Sequence, residues 1–151
     1  MGVEGFRAHC LTGSLSAMDK PVVRDAALLI FRATLGLIFV AHGWQKLFMD
    51  GPVETAGKLS AAGIPQAKLS AYIVGGGELL GGALLVVGLL TTLAAGALAL
   101  LMLAALYFVH LNSGLFIADG GFEYVLVLIV SLLMIVVFGS GRASIDGVLS
   151  R

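Results

Sequence analysis

Apolar residues in this chain occur in four long runs, separated by short polar stretches that contain glycine, proline and charged residues. The runs cover 26–48, 69–90, 93–111 and 122–138. Each is close to the ~20 residues that an α-helix needs to cross the hydrocarbon core of a bilayer. A helix also satisfies its own backbone polar groups, as lipid requires. The pattern therefore predicts an all-α membrane protein, built as an antiparallel bundle of four transmembrane helices.

The composition is consistent with this fold, because hydrophobic residues make up 59% of the chain and charged residues only 12%. The surface of a soluble domain with 151 residues needs more charge than this. The formal net charge is zero and no basic cluster is present, so the electrostatic footprint of a nucleic-acid-binding protein is missing. We expect membrane lipid, and no nucleic acid, as a partner.

The segment before the first run is polar and lacks the apolar core of a signal peptide. We expect residues 1–24 to form a disordered tail and residues 25–149 to form the membrane domain; Met18 would be an equally sensible first residue. The single cysteine, Cys10, has no second cysteine to pair with. An intrachain disulfide and cysteine-based metal centres are therefore excluded, and no metal site is predicted.

Basic residues indicate the orientation of the bundle. The side that contains both termini and the turn at 91–92 holds most of them: Arg7, Lys20, Arg24, Arg142 and Arg151. The opposite side holds three lysines: Lys46, Lys58 and Lys68. Because short cytoplasmic loops are enriched in Lys and Arg, this distribution predicts that both termini are cytoplasmic.

The loop after the first run contains a pattern of its own. Val53, Ala56, Leu59 and Ala62 recur at every third position, with charged residues on another face. This spacing predicts a short helix between positions 52 and 62 that lies at the membrane interface and caps the bundle.

Six ionisable residues lie within or at the ends of the apolar runs: Arg32, His42, Lys46, Glu78, His110 and Glu123. Such residues are costly in hydrocarbon, and they usually face the bundle interior and mark a site. A rise of ~1.5 Å per residue puts all of them except Arg32 in the non-cytoplasmic half of the membrane. Glu78 is ~13 Å deep on this arithmetic and must be protonated or paired.

The first helix should carry several of these residues on one inward-facing stripe. Arg32, Leu35, Phe39, His42 and Lys46 follow a 3-4-3-4 spacing, which is typical of a face that packs on other helices. From there we expect the long Arg32 side chain to extend towards Glu78.

The second helix places glycines on the same face as Glu78, in "GGGELLGG". Glycine allows close approach of either a neighbouring helix or a ligand, and both interpretations stay open. Structural roles stay open for the ionisable residues too. Lys46 would then extend to the interface, His110 and Glu123 would end helices, and His42 would be a hydrogen-bonded structural histidine.

Several motifs occur in a fixed order: an arginine early in the first helix, "AHGWQKL", "AAGIP", "GGGELLGGALLVVGLLT", a histidine ending the third helix, and "GGFEYVLVL". Over about 25–149 the chain resembles the DoxX family. The resemblance implies a four-helix integral protein of the bacterial inner membrane. Members are commonly described as membrane components of oxidoreductases, and the related DoxD subunits are associated with thiosulfate oxidation that delivers electrons to quinone. The family pattern matches at Arg32, His42, Gly43, Lys46, Glu78, His110 and Glu123.

These observations favour a membrane subunit of an oxidoreductase with quinone as a candidate ligand. Glu78 and His42 would be the catalytic residues that handle protons, and four residues would bind the ligand: Arg32, Lys46, His110 and Glu123. No intrinsic cofactor is predicted. Because the chain has no cysteine pair and no nucleotide-binding fingerprint, electrons would come from a protein partner in a redox complex.

Two other classes of function stay open. One is a non-catalytic subunit that anchors or assembles a partner enzyme at the membrane. The other is a small proton or solute transporter, in which the ionisable residues form a ladder through the membrane. A haem held by His42 and His110 is disfavoured, because their depths differ by about 8 Å. A homo-oligomer is compatible with each of these functions.

Overall fold

A computed structural model describes residues 21–141 and 144–149 of the chain. The described residues form six α-helices: α1 (Pro21–Trp44), α2 (Gly51–Ala61), α3 (Ala67–Val87), α4 (Thr91–Ala105), α5 (Glu123–Phe138) and α6 (Ile145–Leu149). A π-helical turn, Gln45–Met49, extends α1, and a second, Leu106–His110, extends α4. We call the end of the bundle that carries α2 the α2 end, and the opposite one the α6 end.

Three of the four predicted spans are confirmed as helical segments long and apolar enough to cross a membrane: Pro21–Met49, Ala67–Val87 and Thr91–Ser113. The fourth, α5, is apolar but has only 16 residues. The all-helical prediction is confirmed for the described residues. The described part of α1 starts at Pro21, so residues 21–24 of the expected tail are helical. The rest of that tail lies outside the described residues.

The helices α1 and α3 pack with their backbones in close contact. A methyl group in place of the Gly36 hydrogen would lie 2.7 Å from the carbonyl oxygen of Gly82, and one at Gly82 would lie 2.6 Å from that of Gly36. Nearer the α2 end, a methyl group at Gly43 would lie 2.5 Å from the backbone nitrogen of Leu79. Helix packing is therefore confirmed as a role of the glycines on this face.

The remaining long helices continue the bundle in the order α3, α4, α5. Their core includes fully buried residues from each of the three: Leu85, Ala95, Leu98, Leu132 and Ile135. Helices α1 and α5 touch at few positions. We call the boundary between these two helices the seam.

Large apolar side chains are exposed on the outer surface of the helices, including Leu37, Ile73, Leu80, Leu100 and Val130. A continuous apolar surface of this kind is unfavourable in water and favourable in lipid. The described part of the chain therefore has the apolar outer surface of a membrane protein. Its polar contacts are concentrated at the two ends of the bundle and next to α2.

The short helix predicted in the first loop is confirmed as α2, and Thr55 makes its contact with α1. Thr55 is buried and Val53 is 80% exposed. The hydroxyl of Thr55 donates to the backbone carbonyl of Lys46 at 3.0 Å. This bond fixes the rotation of α2, since it turns Thr55 rather than Val53 towards α1.

Candidate functional site

An ion pair joins α1 to α3 near the α2 end. The ammonium nitrogen Nζ of Lys46 donates to Oε2 of Glu78 at 2.5 Å. The side chain of Glu78 is 4% exposed, whereas that of Lys46 is 29% exposed. The carboxylate is therefore enclosed by the bundle, and the ammonium group lies between it and the outside.

The local backbone makes room for this pair. Gly75, one helical turn before Glu78, lies against the side chains of Leu47 and Lys46, and a methyl group there would come within 2.8 Å of Leu47. Lys46 itself is in the π-helical turn that ends α1. Such turns leave backbone carbonyls without their usual helical donor and are frequent at functional sites. Thr55 supplies the donor for the Lys46 carbonyl.

His42 is placed differently from the sequence prediction. Its side chain is exposed, and the buried position one residue further along α1 is taken by Gly43. The 3-4-3-4 stripe fails here because α3 packs directly on the backbone of α1 and selects the glycine for the contact. His42 lies at the edge of that interface.

Tyr124, from the first turn of α5, faces His42 across the seam. The two ring centroids are 6.3 Å apart, with an angle of 50° between the ring planes. Tyr124 is also within electrostatic range of the Glu78 carboxylate. Sequence reasoning missed this contact, because pairing between α1 and α5 leaves no local signal along the chain.

Arg32 does not approach Glu78, contrary to the sequence prediction. Its guanidinium lies against Gly88, ten residues further along α3 than Glu78 and thus ~15 Å away along the helix axis. There Nη1 donates to the carbonyl oxygen of Ser140 at 2.7 Å. Arg32 is buried, but it points to the α6 end.

Asp146 is a structural residue that the sequence reasoning missed. Its two carboxylate oxygens accept hydrogen bonds from the backbone N–H groups of Leu90 and Thr91, both at 2.8 Å. These groups begin α4, so Asp146 caps that helix from a distant part of the chain. Burial alone raises the pKa of Asp146, but the bonds from Thr91 and Leu90 and the charge of Arg32 bring it below its usual value.

The sequence gives no clear signal for this cap, because Thr91 and Thr92 are themselves residues that commonly cap helices. In the structure, however, no side chain caps the helix locally, and Leu90 before it adopts a left-handed backbone conformation with φ of 49°. When a helix starts without a local cap, its first backbone N–H groups need an acceptor from elsewhere in the chain.

His110 and Glu123 are also apart from the ion pair. The ring nitrogen Nδ1 of His110 is 2.8 Å from the carbonyl oxygen of Gly120. Oε1 of Glu123 accepts from the backbone N–H of Ile117 at 2.7 Å. Both side chains thus hold the loop between α4 and α5. Of the six predicted site residues, the structure brings together Lys46 and Glu78, while His42, one helical turn before Lys46, contacts Tyr124.

The fold and its paired charges define a polytopic helical membrane protein, and sequence comparison identifies its family. The DoxX family model matches residues 27–111, so the chain belongs to the DoxX family. No solved structure is significantly similar to it.

Several relatives cover much of the chain. A Mycobacterium tuberculosis protein described as an uncharacterized membrane protein is 31% identical over 161 aligned residues, which cover 100% of this chain and 95% of that protein. A Bacillus subtilis protein named "Putative oxidoreductase CatD" is 33% identical, covering 69% of this chain and 74% of its own. An uncharacterized Haemophilus influenzae protein is 32% identical, with 82% of this chain and 90% of its own aligned. The chain spans only 56% of another H. influenzae relative.

Proposed function

We propose that this DoxX protein is a membrane subunit of an oxidoreductase that binds a quinone headgroup beside the Lys46–Glu78 pair. The observation that carries the proposal is the position of this pair: a buried carboxylate and a partly exposed ammonium beside a seam between two lipid-facing helices. The name of the B. subtilis relative supports the reaction class.

The side chains around the seam fit such a ligand chemically. A quinone headgroup needs hydrogen-bond donors at its two carbonyl oxygens, a partly apolar slot and a nearby group that can exchange protons. Lys46, His42 and Tyr124 are possible donors, and Glu78 is the proton-exchanging group. A bound quinone would supply the redox chemistry, while these residues would bind it, orient it and move protons.

A site at the seam would also be accessible from the bilayer, where quinones are found. Quinones are dissolved in the bilayer, so a site reached between α1 and α5 requires no aqueous path. His42 and Tyr124 flank this entrance, since their rings face each other across it. Electrons would come from a redox-active protein partner, as the sequence predicts.

We further propose that the protein lies in the bacterial inner membrane with both termini in the cytoplasm, from the distribution of Lys and Arg. On this orientation the Lys46–Glu78 pair is near the non-cytoplasmic surface. A reporter active only in the periplasm should be inactive when fused after Arg151 and active when inserted in α2.

A second candidate is a non-catalytic assembly subunit, in which the ion pair only joins α1 to α3. The observation that favours this role is that Lys46 already donates a hydrogen bond to Oε2 of Glu78. The transporter alternative is weakened, because the ladder of ionisable residues does not continue from Glu78 to Arg32.

Binding of a quinone analogue to the purified protein in detergent separates these candidates. We expect saturable binding to wild type, and at least tenfold weaker binding to Glu78→Gln and His42→Ala. His110→Ala and Glu54→Gln are matched controls, because their side chains lie outside the seam. Thermal unfolding is recorded for each variant. Absence of binding to the folded wild type would contradict the quinone proposal and favour the assembly role.

A further inference from the structure

The loop between α4 and α5 is held in a defined shape. Backbone bonds connect Phe122 N–H to the Gly114 carbonyl at 3.1 Å and Glu123 N–H to the Leu115 carbonyl at 3.0 Å. The Glu123 carboxylate accepts from Ile117 N–H, and His110 binds the Gly120 carbonyl. Two of the family-pattern residues therefore serve to fix this loop.

This rigid loop exposes large apolar side chains. Leu115, Phe116 and Ile117 are 48%, 64% and 57% exposed. Three consecutive large apolar side chains held outward by hydrogen bonds on both sides are unfavourable in water. The helices on either side of the loop indicate what covers these side chains.

The adjacent helix is too short for the membrane. With 16 residues, α5 is ~24 Å long, whereas the hydrocarbon core is ~30 Å thick. The missing length falls at one or both of its ends, and the apolar loop is attached directly to its first turn. At the same end, Tyr107 and Phe108 of the α4 extension, and Leu111 directly after it, are exposed too. The apolar surface that faces lipid thus continues from the helices onto the loop.

We propose that Leu115, Phe116 and Ile117 insert into the bilayer and complete the lipid-facing height of the fourth span. The partner is the lipid itself rather than another protein. Residues 111–122 contain no Lys or Arg, so insertion depends on apolar burial and not on anionic headgroups. His110 and Glu123 act as positioning residues, because they hold the loop against α5.

Tryptophan fluorescence in proteoliposomes tests this directly. The chain has one tryptophan, Trp44, so a Trp44→Phe background carrying Phe116→Trp reports only on the loop. In zwitterionic phosphatidylcholine, lipids brominated near the headgroup should quench its emission by at least half, and aqueous acrylamide should quench it weakly. Asp119→Trp in the same background, in the exposed polar part of the loop, should show the reverse.

Efficient quenching of Phe116→Trp by acrylamide, with no effect of brominated lipid, would overturn the proposal. So would protection from both quenchers, since that result means that protein covers the loop. A requirement for anionic lipid would also contradict it. If the tryptophan variant does not fold, a spin label on Phe116→Cys in a Cys10→Ser background measures the same depth through its accessibility to oxygen and to a polar nickel complex.

Discussion

Nζ of Lys46 and Oε2 of Glu78 lie 2.5 Å apart, and this pair joins the π-helical end of α1 to the glycine-rich face of α3. The contact explains how an apolar chain tolerates a carboxylate inside a helix bundle. Either charge alone would be costly there, and each lowers the cost of the other. It also places the Glu78 carboxylate within electrostatic range of Tyr124, at the seam between α1 and α5.

Removing one member of the pair should destabilise the protein more than removing both. Lys46→Met leaves the Glu78 carboxyl buried and unpaired, a cost of up to about 3–5 kcal/mol for fully buried pairs. The cost here should be smaller, because Lys46 is 29% exposed. Glu78→Gln should cost less, since the amide oxygen still accepts from Lys46. The double variant Lys46→Met/Glu78→Leu should recover most of the loss. Thermal unfolding in one detergent provides the comparison, and strictly additive losses would show that the two residues are not coupled.

The glycine contact between α1 and α3 predicts a contrast between two substitutions in one helix. Gly82→Ala places a methyl group 2.6 Å from the Gly36 carbonyl oxygen, so the helices must separate, at about 1–3 kcal/mol. Gly76→Ala meets nothing within 4 Å and should be neutral or slightly stabilising, because alanine favours helix. Unfolding temperatures of the two variants measure this contrast. Equal effects would mean that α1 and α3 do not pack this closely.

The charge of Asp146 should stabilise the bundle in a pH-dependent way. Asp146→Asn weakens the cap of α4 and the interaction with Arg32, at a cost of about 1 kcal/mol. Because the pKa of Asp146 is lowered on folding, its contribution is complete above the unfolded value of about 3.9. It is lost as pH falls through the folded pKa. The difference between wild type and Asp146→Asn should be constant from pH 7 to 5 and disappear in stronger acid. A difference that grows towards acid would contradict the assignment.

The hydroxyl of Thr55 should be important because of its bond and not because of its size. Thr55→Val keeps the shape but leaves the Lys46 carbonyl without its donor, at about 1–2 kcal/mol. Thr55→Ser keeps the donor and should cost less. Protease sensitivity of α2 compares the two variants. If Thr55→Ser loosens α2 more than Thr55→Val does, packing of the methyl group decides the stability and the bond does not.

The helices and spans could be predicted well from the sequence, because the length of an apolar run is a local property of the chain. The sequence predicted the partners of Arg32 and His42 poorly. Depth and periodicity allowed Arg32 to extend towards Glu78, but they do not tell to which end of the membrane a long side chain points. Arg32 turns to the α6 end, where the Ser140 carbonyl and Asp146 provide acceptor and charge. His42 does not face inward, because α3 packs directly on the backbone of α1 at Gly43. This outcome depends on tertiary packing.

Photolabelling with an azidoquinone tests the central claim most directly. Proteoliposomes containing the protein are illuminated with the probe, and the labelled residues are identified by mass spectrometry. We expect labels in α1 near His42 and in α5 near Tyr124, with competition by excess unlabelled quinone and a marked loss in Glu78→Gln. Labels spread over the outer apolar surface, unaffected by competitor and unchanged in Glu78→Gln, would contradict a quinone site beside the Lys46–Glu78 pair.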